Sequence, residues 1–154
     1  MIRKKSLVLV SHCVLNQNSV INGWERAQGG FNSIIKTLIN QDIGLIQLPC
    51  PELIHLGCNR PPMTKEAYST SAYIDLCTKL ANDQLDTLID YKNNGYNILG
   101  LIGIENSPTC DTLTNKGVFM EIFLKLCSDH GINLKSIDIK EDYMEGDSEF
   151  HLAF

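Results

Sequence analysis

The run Ile98-Leu99-Gly100-Leu101-Ile102-Gly103-Ile104, followed at once by Glu105-Asn106-Ser107-Pro108-Thr109-Cys110, decides how this chain is read. No polar residue interrupts the first segment, so it predicts a strand covered on both faces, not a one-sided strand with polar alternation. The second segment turns at a proline and ends in a cysteine that core packing does not require. Working outward, Ser6–Val10 and Gly44–Leu48 are shorter apolar runs of the same kind, and 132–139 closes with the alternating Ile137-Asp138-Ile139. Between them lie helical patterns. One covers 31–40, with Ile34, Ile35, Leu38 and Ile39 on one face, and a longer one covers 67–93, with Leu76, Leu80, Leu85, Leu88 and Ile89 at helical spacing. A third covers 117–130 through Phe119, Ile122, Phe123 and Leu126, with Gly131 as its stop. Strands alternating with helices imply right-handed crossovers and a mainly parallel sheet. The expected fold is α/β, a Rossmann-like three-layer sandwich forming a single domain over residues 1–154.

Composition narrows the partners. A net charge of -5 offers no basic footprint, which argues against a nucleic acid polymer. Leu7 to Val10 is too short for a signal sequence or a membrane span, so no membrane partner is expected and the protein reads as cytoplasmic. Six cysteines are many for a chain without a secretory signal. Cytosolic thiols stay reduced, and ligation or catalysis becomes the better question than disulfides.

The scaffold sorts those cysteines. Cys13, Cys50 and Cys110 each follow a different expected strand on the edge where open α/β sheets gather ligands. Cys77 and Cys127 lie at apolar helical positions and read as core, while Cys58 lies in a loop, as packing, spare ligand or sulfur-accepting thiol. Three converging thiolates suit a soft metal or an iron-sulfur cluster, because their mutual repulsion needs a cationic centre. An electron-transfer cubane takes four cysteines; three leave one iron open as a Lewis acid. The bland alternative is three small buried side chains near strand ends.

"SHCVLN" at 11–16, "PCPELIHLG" at 49–57 with "NRPP" at 59–62, and "NSPTC" at 106–110 together resemble the successive signatures of the thiouracil desulfidase family. The likeness runs from about Ser6 to Leu126. It implies a [4Fe-4S] cluster held by Cys13, Cys50 and Cys110 and an open iron that accepts the sulfur of a small thiolated substrate; zinc at the same cysteines is the alternative centre. The chain departs from the family pattern after Cys13, where it reads Val14-Leu15-Asn16-Gln17, after Gly57, where Cys58 replaces a second glycine, and at Thr109, where members carry serine. It therefore resembles a divergent branch with its own substrate. A non-catalytic metal- or cluster-binding sulfur carrier or sensor, and a cluster-free nucleotide or nucleoside binder, are the alternative functions.

The remaining candidates each carry two readings. Glu52 is a first-turn helix carboxylate or a proton donor and acceptor beside the cluster. Ser107 starts the turn at Pro108 or orients substrate. Arg60 clamps an anionic or carbonyl group or makes a surface salt bridge, and Trp24 stacks on a base or packs on its own domain. Alternation along an extended strand would point His12 away from Cys13. His130, before Gly131, reads as a helix-capping residue. The acidic tail at 141–154 ends in Phe150-His151-Leu152-Ala153-Phe154, whose alternation suggests an edge strand or docking onto the body or a second copy in a homodimer.

Overall fold

Apolar runs become strands here because helices cover both sides of them. The computed structural model describes residues 1–146 and 154. In chain order, β1 (Ser6–Val10) leads into a one-turn helix α1 (His12–Leu15) and a 3-10 turn at Gln17–Ser19. Then come α2 (Asn32–Ile39), β2 (Gly44–Gln47), α3 (Pro51–Leu56), α4 (Lys65–Tyr68) and α5 (Ser71–Asn93). The chain continues through β3 (Asn97–Ile104), α6 (Val118–Asp129) and β4 (Ser136–Ile139).

The strands form one sheet in the order β2-β1-β3-β4, and every pairing is parallel. One face carries Leu9 and Leu101 against Tyr73, Cys77, Leu85 and Leu88 of α5 and Phe119 and Phe123 of α6. The other carries Val8, Val10 and Ile102 against Val14, Phe31, Ile34 and Leu38. This is the expected α/β three-layer sandwich. The chain moves outward from β1 to β2 and then crosses back to β3, so the sheet's switch point lies between β1 and β3, where open sheets form a crevice at their carboxyl ends. Among the described residues no helix is long and apolar enough to cross a membrane.

Three local expectations need correction. The run Gly44–Leu48 suggests a strand covered on both faces, yet Leu45 and Ile46 are only half-buried, because β2 is an edge strand. The long helix expected over 67–93 is two helices. Thr70 leaves helical geometry with ψ 157 and its hydroxyl accepts the Tyr73 N–H at 3.3 Å, restarting the chain as an N-cap. The expected strand over 132–139 begins only at Ser136, the residues before it serving the turn after α6. The closing alternation at 150–153 lies outside the described residues. Phe154 itself packs with the β1/α2 cluster.

Candidate active site

Because β2, β1 and β3 are neighbours, their carboxyl ends deliver three cysteines to one region. Cys13 lies in α1 directly after β1, Cys50 is the residue from which α3 starts after β2, and Cys110 lies in the loop between β3 and α6. A cavity of about 390 Å³ opens there, lined by all three cysteines and by Glu52, Arg60, Ser107 and Trp24. Cys13, Cys50, Cys110, Glu52, Ser107, Arg60 and Trp24 therefore line the same space. Cys77 and Cys127 are buried in the core, as expected, and Cys58 is exposed and does not line the cavity.

The three thiols feel one another. Burial pushes the Cys13 thiol up to about 12, Cys50 adds to the rise, and the Arg26 guanidinium opposes it. Cys50 is raised, burial first. Cys110 is held well above the ordinary thiol range by burial, then by Cys50 and Cys13, against a hydrogen bond with the Ser11 side chain. At neutral pH the metal-free site thus holds three protonated thiols, and a cationic centre is what would draw off their protons. Among the described residues no three His, Cys, Asp or Glu side chains surround a point suited to a single metal ion.

The loop that presents Cys110 is over-determined by hydrogen bonds. Ser107 Oγ accepts the backbone N–H groups of Thr109 at 3.2 Å and Cys110 at 3.0 Å, so this side chain builds the turn and still lines the cavity. Asp111, fully buried, accepts from Asn106 N–H at 2.8 Å and from Leu113 and Thr114 N–H at 3.0 and 2.9 Å. Those bonds hold Asn106 in the left-handed region at φ 62, which asparagine tolerates better than most residues. Thr109 Oγ1 meets Tyr73 OH at 2.8 Å in the core. Below the loop, the Val118 and Met120 N–H groups of the first turn of α6 donate to Pro108 and Thr109 carbonyls at 2.9 and 3.2 Å. The approach is close enough that Gly117 is required: a Cβ there would stand 2.1 Å from the Thr109 carbonyl carbon and 2.6 Å from Cys110 N.

On the opposite wall, Pro51 opens α3 and places Glu52 in its first turn. Glu52 Oε1 accepts Arg60 Nε–H at 3.2 Å and Tyr68 O–H at 3.1 Å, and neither Glu52 nor Arg60 is more than 7% exposed. Arg60 Nη1 donates to Gly57 O at 3.2 Å and Nη2 to Ser19 O at 2.8 Å. Each nitrogen of Arg60 is engaged by the protein, so this guanidinium braces Glu52 and the 17–19 turn. Oε2 of Glu52 has no protein partner among the described residues, and the side chain lines the cavity. Trp24 is 61% exposed and stands at the rim.

His12 lines the cavity beside Cys13, since β1 ends at Val10 and strand alternation no longer applies. Its Nδ1 lies 3.2 Å from Leu48 O. His130 does cap α6, with Nδ1 2.9 Å from Leu126 O. Residues missed by sequence reasoning include Ser11, fully buried, whose hydroxyl donates to Ile102 O at 3.1 Å and neighbours Cys110. Gln17 is another: its Nε2 donates to Cys13 O at 2.9 Å and its Oε1 accepts Arg26 N–H at 2.8 Å. Arg26 also lines the cavity, and its Nη1 donates to the carbonyls of Lys140, Glu141 and Tyr143. Ser11 had a faint signal, a polar residue just past an apolar run. Arg26 had none, because its partners lie more than a hundred residues away.

Uncharacterized protein MJ0003 of Methanocaldococcus jannaschii is 48% identical to this chain over 134 residues, covering 87% of this chain and 85% of that protein. No protein-family model and no solved structure matches the chain. Identity of that level over most of both lengths preserves core and strand order together, and the protein belongs to the same family as MJ0003.

Proposed function

We propose that the protein is a desulfidase that removes sulfur from a small thiolated molecule by hydrolysis. The observation that carries this reading is the gathering of Cys13, Cys50 and Cys110 from three neighbouring strand ends around one cavity that also receives Glu52. Three soft thiols lining one cavity fit the donor set of an iron-sulfur cluster that has one iron without a protein thiolate. Such a cluster, when bound by these three residues, supplies a Lewis-acidic iron open to a sulfur ligand.

The chain's own residues supply the rest. Val20, Ile21, Trp24 and Pro108 give the cavity apolar surface for a planar body, while the polar groups stand at defined points. Glu52, with Oε1 held by Arg60 and Tyr68, presents Oε2 to take a proton from water as the water attacks the thiolated carbon. The balance is hydrolytic: the C–S bond gives way to C–O, water supplies the oxygen, sulfur leaves as hydrogen sulfide, and no electrons are consumed. Arg60 and Tyr68 act through Glu52 as positioning residues, and Ser107 acts through the turn that sets Cys110.

The test is anaerobic reconstitution with iron and sulfide, followed by assay on 2-thiouracil and related thiones. Expected are iron and acid-labile sulfide in equal amounts with a brown absorbance, sulfide release with substrate, and loss of both in Cys110→Ser. Cluster and sulfide release that survive in Cys110→Ser sink the scheme. Cluster binding without turnover on any thione moves the protein to the carrier or sensor class.

A further inference from the structure

The cavity is lined by a guanidinium, that of Arg26, which is fixed in place and yet has one edge without an acceptor among the described residues. Arg26 Nη1 donates to the carbonyl oxygens of Lys140 at 2.6 Å, Glu141 at 3.0 Å and Tyr143 at 3.1 Å. Its cationic carbon stands 5.4 Å from the Phe31 ring centroid, which covers one face. Gln17 Oε1 accepts its backbone N–H, and the Glu145 N–H donates to its backbone carbonyl at 3.1 Å. Against this anchoring, Nε and Nη2 have no acceptor among the described residues. Those two nitrogens form the side-on fork that matches the two oxygens of a carboxylate.

The carboxylates around the cavity are already partnered elsewhere. Glu52 is held by Arg60, Glu105 accepts Lys140 Nζ at 3.2 Å and the Glu141 N–H at 2.8 Å, and Glu141 accepts from Asn106 Nδ2. None of them meets the free edge of Arg26. The guanidinium lines the same cavity as Cys13, Cys50 and Cys110, which puts it within reach of a molecule bound there. Arg60, whose nitrogens are all engaged, has no comparable edge.

We propose that the Nε/Nη2 edge of Arg26 anchors a carboxylate of the substrate, so that the molecule this cavity takes is a small thiolated carboxylic acid with a planar apolar body. The carboxylate docks on Arg26, the body lies along Trp24, Ile21 and Pro108, and the sulfur points toward Cys13, Cys50 and Cys110. The sulfur chemistry rests on the desulfidase reading, whereas recognition of the acid group does not.

Calorimetric titration of the anaerobically prepared protein with two probe pairs separates them. One pair is 2-mercaptonicotinate and 2-mercaptonicotinamide; the other is the sulfur-free nicotinate and nicotinamide. A charge-assisted two-point contact predicts about ten- to hundredfold tighter binding of the acid in each pair. In Arg26→Gln the acid-to-amide ratio falls to near one. Arg26→Lys, which keeps the charge but not the fork, loses most of the ratio, and serves alone if Arg26→Gln does not fold. A ratio near one in the unmodified protein, no measurable binding of either acid, or a ratio retained in Arg26→Lys overturns the assignment. If the ratio holds while no thione is ever desulfurated, Arg26 stands and the desulfidase reading falls. If thiones are desulfurated while the ratio stays near one, the desulfidase reading stands and the role of Arg26 falls.

Discussion

Substituting Gly117 by alanine tests whether the packing under Cys110 is what builds the site. The backbone there, φ -66 and ψ 162, suits any residue, so alanine brings no conformational strain. Two intrinsic terms nearly cancel: alanine restricts the unfolded chain, a gain of about 0.4–1 kcal/mol, but it is a poorer N-cap than glycine by a similar amount. The steric term is then left to decide. The new Cβ would lie 2.1 Å from the Thr109 carbonyl carbon, 2.5 Å from its oxygen and 2.6 Å from Cys110 N, where ordinary contact begins at 3.4 Å. All three atoms are backbone, so no side chain can swing aside. Either α6 or the cysteine loop must shift by about an ångström, an overpacking cost of about 1–3 kcal/mol. At this chain length that lowers the melting temperature by about 2–10 °C, read by circular dichroism. Because the shift displaces the Cys110 backbone, iron retained after anaerobic reconstitution should also fall well below that of the unmodified protein. Gly29→Ala, where a Cβ meets nothing within 4 Å, is the control and should leave both readouts unchanged. A Gly117→Ala protein that melts within a degree of the parent and loads iron equally would refute the reasoning.

The buried Glu52–Arg60 pair predicts strong coupling: Arg60→Met should destabilise by about 3–5 kcal/mol, much of it restored by adding Glu52→Gln. A double-mutant cycle in urea that yields no coupling removes the brace assigned to Arg60. Stability of the metal-free protein should be flat from neutral pH to about pH 9 and fall above it. Cys13, Cys77 and Cys127 are raised from 9.0 to about 12, and Cys50 and Cys110 are also raised, so the native state keeps protons that the unfolded chain releases. Each such thiol removes about 1.4 kcal/mol per pH unit until its native pKa is reached, and urea titrations that show stability rising above pH 9 would contradict the sign. Alkylation at neutral pH followed by mass spectrometry should label exposed Cys58 first, with Cys13, Cys50 and Cys110 slow in the metal-free state and slower after cluster loading. Early labelling of Cys110 would show that its thiol is neither desolvated nor protonated as described.

The sandwich was legible because its signals are local. Unbroken apolar runs such as 98–104 mark strands, and apolar residues at helical spacing mark α2, α5 and α6. The edge position of β2 was not legible, since a short, mainly apolar run reads the same whether one or two neighbours pair with it. The break at Ser69-Thr70 hid inside a pattern whose period continues across it, and its consequence is long-range. It turns Tyr68 so that its hydroxyl reaches Glu52, and sets its ring 4.7 Å from that of Tyr73.

For the site, order along the chain was enough to bring Cys13, Cys50 and Cys110 together, because parallel strands joined by crossovers place every strand's carboxyl end on one edge. The same reasoning placed Glu52, Ser107, Arg60 and Trp24 near that edge. What each of them does was decided only by tertiary structure. Arg60 and Arg26 look alike as letters in polar loops, yet Arg60 is engaged at every nitrogen, whereas Arg26, which also lines the cavity, has no acceptor at Nε or Nη2 among the described residues. That difference depends on carbonyls at 140, 141 and 143 meeting residue 26. Periodicity records which face of an element is buried. The partners of a hydrogen-bonding group are fixed only when distant segments of the chain are packed against each other.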